Sequence, residues 1–184
     1  MKIVLFGDSM LARFNNKLID QLETKIPGSE VYNCAAGGWD TDDCVKKAAY
    51  IGSLKPDAVT ISLGTNDGAG WKLVPVERFK ANLNAILNSF EGSRVVFFPA
   101  APVNESRQNP DFGRTNDLMK EYSDATKEVC ADRGIEYIDS WAIFHPLLEK
   151  GEDYHINDGV HFNDYGNDLL INHIAEVLNQ KNYE

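Results

Sequence analysis

Lys2-Ile3-Val4-Leu5-Phe6-Gly7-Asp8-Ser9 opens the chain with an apolar run that ends in a glycine, an acid and a hydroxyl. A run of that length and composition, closed by a turn residue, reads as a buried strand that carries a serine at its end. Four similar runs follow, at residues 30–33, 58–63, 94–98 and 135–138. Segments with helical periodicity lie at residues 11–25, 42–54, 76–90, 115–133 and 165–180, and a shorter helix is expected at 141–148. Pro27-Gly28 and Lys55-Pro56-Asp57 punctuate the passages from helix back to strand. Strands alternating with helices predict an α/β fold, a five-stranded parallel sheet with helices on both faces. Because such crossovers are right-handed, the strand ends that lead into helices share one edge, and ligands bind there. That edge should gather Ser9, Gly38, Asn66 and the loop after Phe98.

The composition bounds the function. A chain of 184 residues fits one domain, expected to span residues 1–184. With 43% hydrophobic and 25% charged residues it reads as a globular protein, and no apolar run approaches the roughly 20 residues of a membrane-spanning helix. The single lysine and short apolar run at the N-terminus do not make a secretory signal, so a cytoplasmic location is expected. A net charge of −10 would repel a phosphate backbone, which makes nucleic acid an unsuitable partner. Cys34, Cys44 and Cys130 lack metal-ligand spacing and read as free thiols.

Several strand ends carry residues suited to chemistry. Ser9 follows the first strand and precedes a helical segment, where its hydroxyl could attack a substrate or simply act as an N-cap. The stretch Asn33-Cys34-Ala35-Ala36-Gly37-Gly38-Trp39 ends the second strand; a glycine N–H there could face a developing oxyanion, or the pair could form a tight turn. Gly64-Thr65-Asn66-Asp67 ends the third, where the Asn66 amide could be a further donor and Asp67 could brace the loop. Of the histidines at 145, 155, 161 and 173, His161 follows Asp158 by three residues in the glycine-containing loop Asp158-Gly159-Val160-His161. That spacing lets a carboxylate set the imidazole tautomer.

In order along the chain, these four blocks resemble those of the SGNH hydrolases, also called GDSL-type esterases and lipases. The resemblance implies a three-layer α/β/α sandwich, flavodoxin-like, that hydrolyses carboxylic esters without a cofactor. It implies Ser9 as nucleophile, His161 as base and acid, and Asp158 as orienter, with oxyanion donors from the Ser9 and Gly38 backbone and the Asn66 side chain. The substrate would be a small or medium ester, with O-acetyl groups on carbohydrates one class represented in the family. Trp39, beside Gly38, is expected to narrow the entrance; Trp71, Lys72, Asn104, Arg107, Phe112 and Arg114 are candidate rim residues. The Gly-x-Ser-x-Gly elbow of ordinary α/β-hydrolases is absent from the sequence.

Two other functions merit comparison. Asp8, Asp67 and Asp158 could hold Mg²⁺ for phosphoryl transfer, although that gives the serine, asparagine and histidine no task and the phosphate-binding glycine-lysine loop is missing. A noncatalytic carbohydrate-binding module could keep the same pocket, but it would have no use for a triad.

Overall fold

Five parallel strands form one sheet: β1 (Lys2–Gly7), β2 (Glu30–Asn33), β3 (Ala58–Leu63), β4 (Arg94–Pro99) and β5 (Glu136–Tyr137). The computed structural model describes residues 1–180; the last four residues of the expected domain lie outside the described residues. The helices are α1 (Ser9–Ala12), α2 (Asn16–Lys25), α3 (Thr41–Ser53), α4 (Val76–Asn88), α5 (Asn116–Arg133), α6 (Ser140–Glu149) and α7 (Asp164–Asn179). None of them is long and apolar enough to cross a membrane.

Strand alternation sorts the core into two layers. Ile3 and Leu5 join Leu18 and Leu22 of α2, Phe144 of α6, and Leu170 and Ile174 of α7 on one face. Val4 and Phe6 join Ala48 of α3, Phe79 and Leu83 of α4, and Tyr122 of α5 on the other. The α/β/α sandwich expected from the sequence is therefore present. Truncating a fully buried side chain such as Phe97 to alanine would cost about 3–5 kcal/mol.

The strand order is β2-β1-β3-β4-β5. The chain thus builds first to one side of β1 and then to the other, which opens a crevice at the carboxyl ends of β1 and β3. Gly7 makes that crevice possible. Its φ is 128°, and a side-chain carbon there would collide with the Ser62 carbonyl of the neighbouring strand.

Two expected elements are revised. The helix expected at 11–25 is two helices, broken at Arg13-Phe14-Asn15: Phe14 turns into the core, and the Asn15 side chain accepts from Leu18 N at 3.2 Å to start α2. Leu11, Leu18 and Leu22 keep helical spacing across the break, so periodicity alone could not reveal it. The fifth strand contracts from 135–138 to Glu136–Tyr137, because the Ile135 N–H is taken by the Cys130 carbonyl as α5 ends. A short 3-10 turn at Pro110–Phe112 lies in the loop after β4, where no element was expected.

Candidate active site

The break after α1 matters for Ser9. Asp8, not Ser9, is the N-cap: its Oδ1 accepts from Met10 N at 2.9 Å, which leaves the serine hydroxyl uncommitted to the helix. The break also exposes main-chain carbonyls at Leu11 and Phe14. Asn33, at the end of β2, donates to both, at 2.9 and 3.1 Å, and ties the segment carrying Ser9 to the second block. Sequence reasoning gave Asn33 no such task; its place at a strand end beside a helix break was the available signal.

Asp158 and His161 sit in the turn before α7. Asp158 Oδ1 accepts the backbone N–H groups of Val160 and His161, both at 2.9 Å, so the carboxylate shapes its own loop. Its Oδ2 lies 2.6 Å from His161 Nδ1, and His161 Nε2 lies 2.7 Å from Ser9 Oγ. An ionised carboxylate only accepts, so the imidazole proton belongs on Nδ1 and Nε2 accepts from the Ser9 hydroxyl. Burial works to raise the Asp158 pKa, but the bonds from His161 and the two backbone amides outweigh it and hold the group below 3.8. Burial lowers the His161 pKa below 6.5 against the pull of Asp158, and the charges of Arg13 and Arg114 act in the same direction as burial. At neutral pH the pair is carboxylate and neutral imidazole.

The second and third blocks meet beside Ser9. Gly38 adopts φ 79°, in the left-handed region that favours glycine. Lys72 donates to its carbonyl at 2.7 Å while paired with Asp40 at 2.8 Å. Asn66 is buried; its Nδ2 donates to the Trp39 carbonyl at 2.8 Å and its Oδ1 accepts from Arg114 at 2.8 Å. Among the described residues, neither the Ser9 nor the Gly38 backbone N–H has an acceptor. Asp67 accepts from Thr41 N and Oγ1 and from Gly64 N, at 2.9, 2.6 and 3.2 Å, and so braces two loops.

A cavity of about 730 Å³ opens above these groups. Ser9, Gly38, Asn66, Asp158 and His161 all reach it, and Trp71 and Phe112, with ring centroids 6.0 Å apart, contribute aromatic surface. Arg107 and Arg114 also line it, Arg107 paired with Asp153 at 2.6 Å. The rim differs from expectation at three positions. The Trp39 indole packs edge-on against Phe6 instead of narrowing the entrance; Lys72 is drawn to Asp40 and Gly38; Asn104 turns back to accept from Ser106 at 2.7 Å. Gln108 and Asn109, which sequence reasoning missed, line the cavity from the loop after β4.

The other histidines are occupied elsewhere. His155 is buried with Nε2 3.0 Å from the Pro102 carbonyl, His145 stacks on Trp141, and His173 lies 3.1 Å from Glu176. The three acids considered for Mg²⁺ are likewise dispersed into separate hydrogen-bond networks: Asp8 with Met10 and Ser62, Asp67 with Thr41 and Gly64, Asp158 with His161. Among the described residues no three His, Cys, Asp or Glu side chains converge as a metal site, so this donor set does not fit the ion.

The class that this fold and these side chains define is a carboxylic ester hydrolase. Residues 5–169 match the sequence profile of the GDSL-like Lipase/Acylhydrolase family, and the chain belongs to that family. It is similar to the isoamyl acetate-hydrolyzing esterase 1 homolog of Bos taurus, at 26% identity over 98% of this chain and 82% of the relative. Among solved structures, the lipase/acylhydrolase from Enterococcus faecalis superposes with a TM-score of 0.86 at 27% identity, covering 96% of this chain and 94% of the other. The acetyl xylan esterase AlAXEase shares the fold, with a TM-score of 0.80 at 18% identity over 97% of this chain and all of the other, 100%.

Proposed function

We propose that residues 1–184 work as one hydrolase domain, a serine esterase for small or medium carboxylic esters, with O-acetyl groups on carbohydrates as a favoured substrate class. The observation that carries this reading is the unbroken series from Asp158 through His161 to Ser9, with both links under 3 Å, at 2.6 and 2.7 Å. Two matched proteins are named for acetyl esters, an isoamyl acetate-hydrolyzing esterase homolog and an acetyl xylan esterase, which supports a short acyl group. A cavity that combines aromatic walls with arginine, glutamine and asparagine suits a polar alcohol portion such as a sugar.

In the proposed reaction Ser9 Oγ attacks the ester carbonyl as its proton passes to His161 Nε2. The tetrahedral oxyanion is met by the backbone N–H groups of Ser9 and Gly38 and by Asn66 Nδ2, whose second proton is free of the Trp39 bond. Each such donor contributes about 3–4 kcal/mol to the transition state in comparable sites. The imidazolium then protonates the leaving alkoxide and the alcohol departs. Water, deprotonated by His161, attacks the acyl-enzyme by the same route, releases the carboxylic acid and restores the serine. Asp158 holds the tautomer and stabilises the imidazolium in both halves.

The test is a panel of aryl esters from acetate to long acyl chains together with acetylated sugars, run on the wild type and on Ser9→Ala. The expected result is turnover concentrated on short acyl groups, lost by at least about 10⁴-fold in the variant. A well-folded Ser9→Ala protein with normal turnover would remove the nucleophile; a preference for long chains would remove the acetyl-ester assignment.

A further inference from the structure

Asn66 can serve an oxyanion only with its amide turned nitrogen-first toward the cavity, and the two ends of a carboxamide are too alike in size for sterics to choose. Polar partners make the choice. Arg114 Nη2 donates to Asn66 Oδ1 at 2.8 Å, and Asn66 Nδ2 donates to the Trp39 carbonyl at 2.8 Å. Turned by 180°, the amide would set its N–H groups against a guanidinium and its oxygen against a carbonyl, replacing two bonds by two repulsions at a buried position.

Arg114 is itself firmly placed. Its Nε donates to the Thr65 carbonyl at 3.0 Å, so one guanidinium grips the main chain of residue 65 and the side chain of residue 66. It stands between Gly113, which ends the 3-10 turn, and Thr115, which caps α5 by accepting from Leu118 N at 3.2 Å. The loop carrying it presses on the loop after β3: a side-chain carbon at Gly113 would meet Gly70 Cα at 3.2 Å. Among the described residues no carboxylate reaches salt-bridge distance of Arg114. Its hydrogen bonds therefore go to neutral partners, one of them the Asn66 amide, while its charge is also felt at longer range by Asp8, Asp158 and His161.

We propose that Arg114 is a positioning residue for ester hydrolysis, acting through Asn66; the inference rests on Asn66 being an oxyanion donor. By holding Oδ1 it presents the Nδ2 proton to the cavity. Its charge also polarises the amide, so that the donor bond strengthens as negative charge develops on the substrate oxygen. The competing use of the same side chain is direct binding of an anionic group on the substrate.

The experiment is a double-mutant cycle of Arg114→Ala and Asn66→Ala, read as kcat and KM on a neutral ester, p-nitrophenyl acetate, with thermal unfolding of each variant as the control for fold. On the pH plateau of each variant, where His161 is neutral whatever Arg114 contributes to its pKa, Arg114→Ala is expected to lower kcat about 10- to 100-fold with KM nearly unchanged, and to add nothing further in the Asn66→Ala background. Guanidinium ion at a non-denaturing concentration should restore part of kcat in Arg114→Ala and none in the double variant. Additive losses, or a change in KM alone, would overturn the inference. If Asn66→Ala itself keeps full kcat, the oxyanion role falls first and the failure lies with the esterase reading. Should Arg114→Ala not fold, Arg114→Gln, which retains a side-chain donor but no charge, completes the same cycle: kcat equal to wild type would overturn the polarising role.

Discussion

His161 Nε2 stands 2.7 Å from Ser9 Oγ although 152 residues of chain separate the two. Neither local segment produces this contact. Ser9 is carried at the end of β1, while His161 lies in the turn just before α7, and α7 packs with α2 over the face of β1 that holds Ile3 and Leu5. The two groups meet because a core layer below the site, shared by β1, α2 and α7, docks the last helix against α2 and β4.

Asp158→Asn tests the orienting role. The variant's Oδ1 can still accept from the Val160 and His161 amides, so the turn should survive. Its Nδ2 cannot accept from His161 Nδ1, and the imidazole should adopt the wrong tautomer. The expected loss in kcat is up to about 10⁴-fold, with thermal stability close to that of the wild type. Steady-state kinetics would refute the role if turnover were undiminished.

The pH profile follows from His161. Burial holds its pKa below 6.5, so the neutral base is present at pH 7 and the rate should fall as the solution is acidified through that lowered value. Arg13 and Arg114 add to the depression. Arg13→Gln should therefore move the acidic limb of kcat/KM upward in pH. A limb that stays in place would show that the Arg13 charge does not reach the imidazole. Incubation with a chelator should leave the rate unchanged, since no proposed step uses a metal ion.

Asp8 makes stability depend on pH. Its carboxyl is buried, with Oδ2 lacking a hydrogen-bond partner, and burial pushes its pKa up from 3.8 to about 7. Between those values the folded state keeps a proton that the unfolded chain has released, so stability falls as pH rises, by up to about 1.4 kcal/mol per unit from this group. Asp67, pushed to about 6 by burial, acts in the same sense. Asp8→Asn should flatten the decline in Tm between pH 5 and pH 8 and gain most, relative to wild type, at the alkaline end. An unchanged slope would mean that Asp8 does not carry the effect.

Gly7→Ala should be among the most damaging single changes. The position combines φ 128° with a side-chain carbon directed into the Ser62 carbonyl, so relief requires separating β1 from β3. A loss of several kcal/mol or failure to accumulate folded protein is expected. Gly28 has a positive φ of 79° but open space around it, and Gly28→Ala should cost only about 1 kcal/mol. Denaturant unfolding of the two variants distinguishes a collision from backbone strain alone; equal losses would contradict the collision.

The sequence by itself determined the order of strands and helices, the parallel sheet and the residues of the four blocks. These are properties of short windows: a buried strand needs an apolar run, a turn needs glycine or asparagine, and an aspartate three residues before a histidine can reach it within one loop. The tertiary structure decided where other side chains go. It broke the first helix at residues 13–15 and set Asn33 on the exposed carbonyls, turned Trp39 to the core, drew Lys72 to Gly38, and brought Arg114 across 48 residues to Asn66. Each of those outcomes depends on two loops from different strands arriving at one edge of the sheet. A polar side chain takes whichever complementary partner the packing brings within about 3 Å, and no local pattern encodes that partner.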